Sequence, residues 1–138
     1  MNLHFYLPLI AKTTRYGRRK IISELPLFPG YLFLHGTREQ AFSADRTRRV
    51  AQIIDVPDQD ELWRELAAIR RALTVETRLD PYPYLKVGVR VSVRSGPLQG
   101  LEGVVEDRTR MDRLILRVRT LGQAVAMEID AALLEPME

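Results

Sequence analysis

Apolar residues recur at every second position along much of this chain, and at every third or fourth in one stretch. Phe5-Tyr6-Leu7-Pro8-Leu9-Ile10 is a short apolar run that predicts a strand. Lys12-Thr13-Thr14-Arg15-Tyr16-Gly17-Arg18-Arg19-Lys20 follows, with Gly17 at a natural turn position, and Ile21-Ile22 resumes strand character. That pattern predicts a β-hairpin with a basic tip. The densest apolar run is Leu25-Pro26-Leu27-Phe28-Pro29-Gly30-Tyr31-Leu32-Phe33-Leu34, with three aromatics within six positions. Its prolines and glycine predict a rigid bend that leads into a strand. Alternation then puts Tyr31 and Phe33 on one face, with Leu32 and Leu34 on the other, core face.

Arg38 to Arg49 predicts a short helix anchored by Phe42, and Val50–Val56 a strand ended by Pro57. Asp58 is a good N-cap, and Glu61 stands at the capping-box spacing. Leu62, Leu66, Ile69 and Leu73 form the buried stripe of an amphipathic helix, with Trp63 beside it as a core or boundary residue. Thr77 to Tyr84 breaks this period. Pro81 and Pro83 predict an extended linker and a domain boundary. Beyond it, Val89, Val91 and Val93 alternate with polar residues, as do Leu114, Leu116 and Val118 in part, and Val125, Met127 and Ile129 alternate with small or polar ones. Short strands punctuated by glycine predict a small β-barrel. The expected class is therefore α+β: an antiparallel sheet with helices over 1–76, a linker over 77–84, and a barrel over 85–138.

The 138 residues suffice for one ordinary domain or two small ones, and 46% apolar with 28% charged content is globular. The net charge of +3 is unevenly spread: residues 1–53 carry nine Lys/Arg against three Asp/Glu. A basic first third suggests an anionic neighbour such as nucleic acid. Arg15, Arg18, Arg19 and Lys20 at the hairpin tip are the candidate phosphate contacts, with a solvated loop as the alternative. The absence of cysteine excludes a disulfide scaffold and a thiolate metal site and fits a cytoplasmic setting. Met1 to Ala11 do not read as a signal peptide, and no run is long enough to span a membrane. The two histidines, His4 and His35, lack metal-spaced partners, and no nucleophile–base set, Walker loop or dinucleotide fingerprint occurs. No catalytic activity, metal or cofactor is expected.

Two stretches together carry a resemblance. Gly88-Val89-Arg90-Val91-Ser92-Val93-Arg94-Ser95-Gly96-Pro97-Leu98-Gln99-Gly100-Leu101-Glu102-Gly103-Val104-Val105 looks like a KOW motif. Pro26-Leu27-Phe28-Pro29-Gly30-Tyr31-Leu32-Phe33 resembles the signature strand of the NusG N-terminal (NGN) domain, and Thr47-Arg48-Arg49-Val50 sits where that domain has a short turn before its last strand. The order also matches, and the nearest likeness is to specialised NusG paralogues of the RfaH and UpxY type. The resemblance implies an NGN-like domain followed by an SH3-like KOW barrel. It implies a transcription elongation or antitermination factor that binds the β′ clamp helices of RNA polymerase through an apolar depression. Phe28, Tyr31 and Phe33 would lie in that depression. It further implies that the KOW barrel recruits a small-subunit ribosomal protein or the termination factor Rho, through a loop that here contains Leu98 and Leu101. Some paralogues refold this second domain into a helical hairpin. The period-two valines argue against helix in its first half, and Met111–Leu134 is less decisive.

The chain also departs from the family. The family's first strand and helix are missing upstream of Met1, so the expectation is an incomplete sheet that self-associates and binds polymerase weakly. Arg49 replaces the usual turn glycine, and Arg38–Arg49 lacks the His-Thr-type cluster of RfaH. Arg46, Arg48 and Arg49 are therefore expected to touch nucleic acid without sequence specificity. A ribosome-associated or RNA-binding KOW protein is the alternative reading.

Overall fold

Strand β1 (His4–Tyr6) ends at Leu7-Pro8, and β2 (Leu9–Tyr16) and β3 (Arg19–Pro26) form the expected hairpin around Gly17-Arg18. The computed structural model describes residues 4–36, 39, 52–75 and 78–137. Among these, β1 pairs antiparallel with β4 (Phe33–His35), with Phe5 opposite Leu34. The proline at position 8 explains why Phe5–Ile10 is not one strand. It ends β1, and its carbonyl accepts the Leu27 amide at 2.8 Å.

The 25–34 run is likewise not one strand. The Tyr31 amide donates to the Phe28 carbonyl at 3.1 Å, closing a turn over Phe28-Pro29-Gly30-Tyr31. Gly30 has φ +85°, which a type II turn demands at its third position, and proline favours the second. Strand structure resumes only at Phe33. Residues 52–56, expected as a strand, are outside regular structure, and the expected helix over 38–49 lies outside the described residues, Glu39 excepted.

The chain divides into two compact units, Met1–Pro57 and Asp58–Glu138. The second opens with helix α1 (Gln59–Thr74). The Asp58 carboxylate accepts the Glu61 amide at 3.0 Å, satisfying a donor that the first turn leaves unpaired. Asp60 and Glu61 in the first turn and Arg71 in the last complement the helix dipole. Ile69 and Ala72 are buried, and Leu62, Leu66 and Leu73 are half-buried beside them. The helix packs on the strand Arg113–Val118.

Six antiparallel strands follow: β5 (Asp80–Tyr82), β6 (Val89–Val93), β7 (Glu102–Val105), β8 (Arg113–Val118), β9 (Gln123–Glu128) and β10 (Leu134–Pro136). Their order is β10-β6-β7-β8-β9-β5. The end strands each carry a proline, Pro81 and Pro136, which cannot donate to a further strand. One face gathers Val91, Val93, Val105, Leu114, Leu116, Val118, Val125, Met127 and Leu134, all buried. Gly103 lies on this face. A methyl group there would stand 2.7 Å from both the Ile115 carbonyl oxygen and a Leu114 methyl, so only glycine lets β7 and β8 approach.

The opposite face is also buried in part. Val104, Ile115, Ala124 and Ala126 form a buried cluster on it, covered by Tyr82, Tyr84 and Leu85. This corrects the expected linker and domain boundary over 77–84. Leu79 is buried, and Asp80–Tyr82 pairs with Ala124–Ala126 of β9. The tyrosines of a Pro-Tyr-Pro-Tyr segment have an apolar surface to cover, and the segment is held to it. Tyr82 donates to Glu106, and Arg117 donates to the Leu85 carbonyl at 3.0 Å.

Candidate functional site

In the first unit, Leu27 and Phe28 are buried. Phe28 stacks edge-on against Phe33, centroids 6.3 Å apart with ring planes 85° apart. Phe28 is therefore a core residue that supports Phe33, and the expectation that it faces a partner is corrected. Tyr31 and Phe33 are half-buried. Leu32, expected in the core, is 57% exposed, because the turn at Pro29-Gly30 replaces the alternation that would have turned it inward. Leu34 is half-buried. Leu7, Leu9 and Leu25 in the same unit also expose large apolar side chains. Sequence reading missed these exposed leucines, since nothing in an apolar run marks which members remain in water.

The predicted basic tip is present. Arg15, Arg18, Arg19 and Lys20 are exposed, and Arg15 stands directly opposite Lys20 across the hairpin. Like charges facing each other repel, and no carboxylate among the described residues pairs with any of the four. The arrangement suits a polyanion. Arg46, Arg48 and Arg49 lie outside the described residues.

Leu98 and Leu101, expected as exposed partner contacts, are 6% and 3% exposed. The loop after β6 curls back on itself, which turns both leucines inward. The Gly100 amide donates to the Val93 carbonyl at 2.8 Å, the Val93 amide to the Leu101 carbonyl at 2.9 Å, and the Leu101 amide to the Leu98 carbonyl at 2.9 Å. Arg71 of α1 fastens the loop from outside, donating to the Gln99 carbonyl at 2.5 Å and to Pro97 at 3.4 Å. These leucines are core, and no partner contact is assigned to them.

Helix α1 and the sheet enclose a groove of about 800 Å³ within the second unit. Trp63 lines it at 72% exposure, against the expectation of a core or boundary position. At about 100° per residue, Trp63 lies roughly 90° round the helix from the Leu62–Leu66–Ile69–Leu73 stripe, a signal that sequence reading could have used. Arg64, Arg71, Arg90, Arg117 and Arg119 also line the groove. Arg119 pairs with Glu61 at 3.5 Å, and its amide donates to Glu65 at 3.1 Å. Burial raises the Glu65 carboxyl above the ordinary carboxylate range, against the lowering effect of that amide.

Among the described residues, no group of His, Cys, Asp or Glu is placed to hold a metal ion, and no helix is long and apolar enough to cross a membrane. No family model matches the chain, and no curated protein matches it.

Proposed function

We propose that this protein is a transcription elongation or antitermination factor of the NusG type, binding the β′ clamp helices of RNA polymerase through its first unit. The observation that carries the reading is the Phe28–Phe33 turn. There Tyr31 and Phe33 are half-exposed and Leu32 is largely exposed, within the stretch that resembles the NGN signature. Helix pairs present apolar ridges, and a few aromatic and large aliphatic side chains supply most of the energy when such ridges dock. Phe28, buried behind Phe33, gives that surface a fixed backing.

Two further features support the reading. The exposed cations of the hairpin tip suit non-specific contact with a nucleic-acid backbone. The stretch that resembles a KOW motif is a strand–loop–strand, β6 to β7, with its glycine at the tight approach, as a small barrel needs. A small-subunit ribosomal protein or Rho is the proposed partner of that unit.

The test is a pulldown with the isolated β′ clamp helices. Tyr31→Ala and Phe33→Ala should each weaken capture about tenfold, the loss of roughly 1.4 kcal/mol at a hot-spot side chain. Leu32→Ala should weaken it too. Equal capture by the wild type and all three variants would remove the assignment. Co-purification with ribosomes in place of polymerase would favour the ribosome-associated alternative.

A further inference from the structure

We infer that the groove between α1 and the sheet of the second unit is a binding site for single-stranded nucleic acid, with Trp63 as the stacking platform and Arg64 and Arg90 as the phosphate contacts. The site is built from residues of the second unit alone and does not depend on the polymerase reading.

Several of the charges in the groove already have partners. Arg71 is held by the Pro97 and Gln99 carbonyls, Arg117 by those of Leu85 and Lys86, and Arg119 by Glu61. Arg64 and Arg90 are exposed and make no side-chain hydrogen bond or ion pair among the described residues. Of the acids, Glu61 is paired with Arg119, and Glu65 is occupied by the Arg119 amide. Counted in full, the described lining sets five arginines against three carboxylates, Glu61, Glu65 and Glu102, so the groove carries a net positive charge.

The same groove presents the Trp63 indole, exposed to solvent on an element whose other large apolar residues are buried or half-buried. Ala67 and Ala68 line the same side and take up little of the space. A flat ring over the indole with anions held by the two free guanidinium groups is the pattern of a base and its neighbouring phosphates. Stacking accepts any base, and the guanidinium fork matches phosphate oxygens two at a time. An acidic peptide would satisfy the arginines and leave the indole face unused.

Trp63 is the only tryptophan in the chain, so its fluorescence reports on this groove alone. The full chain is titrated with a 12-nucleotide oligo(U), a 12-nucleotide oligo(dT) and a 12-residue oligoglutamate. Both oligonucleotides should quench the tryptophan. The ratio of the two affinities tells RNA from DNA as the preferred strand. Trp63→Ala, read by anisotropy of labelled oligonucleotide, should weaken binding about tenfold, and Trp63→Phe should retain most of it. Arg64→Gln and Arg90→Gln should each reduce the slope of log affinity against log salt by about 0.7. The anisotropy series is run with Arg15, Arg18, Arg19 and Lys20 all changed to Gln, so that the hairpin tip does not contribute, and quenching should persist in that background. An unchanged circular-dichroism melt for each groove variant excludes misfolding. Absence of quenching by either oligonucleotide, or equal quenching by oligoglutamate, overturns the proposal. So do unchanged salt slopes in both arginine variants.

Discussion

Replacing Leu101 by alanine separates two incompatible roles for the β6–β7 loop. If Leu101 were an exposed contact for a partner, the change would alter stability by no more than about 0.5 kcal/mol. In the structure it is 3% exposed, and its carbonyl accepts the Val93 amide while the neighbouring Gly100 amide donates to the Val93 carbonyl. Alanine removes three buried carbons, worth about 0.8 kcal/mol each in transfer from water, or roughly 2.4 kcal/mol. The space left behind adds to that, since Arg71 pins the loop through the Gln99 carbonyl and limits its collapse. The expected loss is about 3 kcal/mol, within the usual span for buried leucine. A unit of this size has a total stability of only about 4–12 kcal/mol, so the second unit should lose a large share of it. Its midpoint should fall by about 12–24 °C. Urea unfolding followed by far-ultraviolet circular dichroism measures the loss, and amide exchange in β6 and β7 assigns it to this unit. A change under 0.5 kcal/mol with an unchanged denaturant slope would refute the core assignment and restore the exposed role.

Gly103→Ala should destabilise the second unit by about 1–3 kcal/mol, because the new methyl meets the Ile115 carbonyl at 2.7 Å; a thermal midpoint within a degree of wild type contradicts this. Asp58→Ala should cost about 1 kcal/mol through the lost cap on the Glu61 amide, read by chemical denaturation, with Asp58→Asn restoring most of it. Glu65 has a raised folded-state pKa, caused first by burial. The folded chain therefore binds its proton more readily than the unfolded chain between the ordinary value of 4.5 and the raised one. Stability should accordingly fall as pH rises through that window and stay lower above it, and Glu65→Gln should flatten this part of the profile of unfolding free energy against pH. Changing Arg15, Arg18, Arg19 and Lys20 together to Gln should reduce duplex DNA binding and its salt slope by up to about 3.6, at about 0.9 per phosphate contact; an unaltered slope removes the tip from the interface.

Local features with a one-to-one chemical cause were legible in the chain. Asp58 and Glu61 specify a helix start by spacing alone, and the helix begins at Gln59. The strand pair 9–16 and 19–26 follows from a turn signal between two runs of strand character. The valine alternation of β6 names its buried face. The Pro29-Gly30 pair spells a bend in the sequence, but a turn resets the alternation, so parity counted across it fails for Leu32.

The remaining features depended on what a segment finds to pack against. Tyr82 and Tyr84 read as a linker because the sequence does not say that β8 and β9 leave Ile115, Ala124 and Ala126 uncovered on a second face. Small alanines give no amphipathic signal, yet they create the flat surface on which tyrosines settle. Leu98 and Leu101 lie on a loop that a sequence places in solvent, and only long-range hydrogen bonds to Val93 and from Arg71 decide that they turn inward. Which cations in a strip of arginines stay free is likewise tertiary. Arg71, Arg117 and Arg119 are each used by a partner at least 26 positions away, leaving Arg64 and Arg90 free in the groove that Trp63 lines. Sequence alone thus determined where the elements start and which residues could carry charge or stacking. The tertiary structure decided which of them are covered, because burial and pairing depend on neighbours distant in the chain.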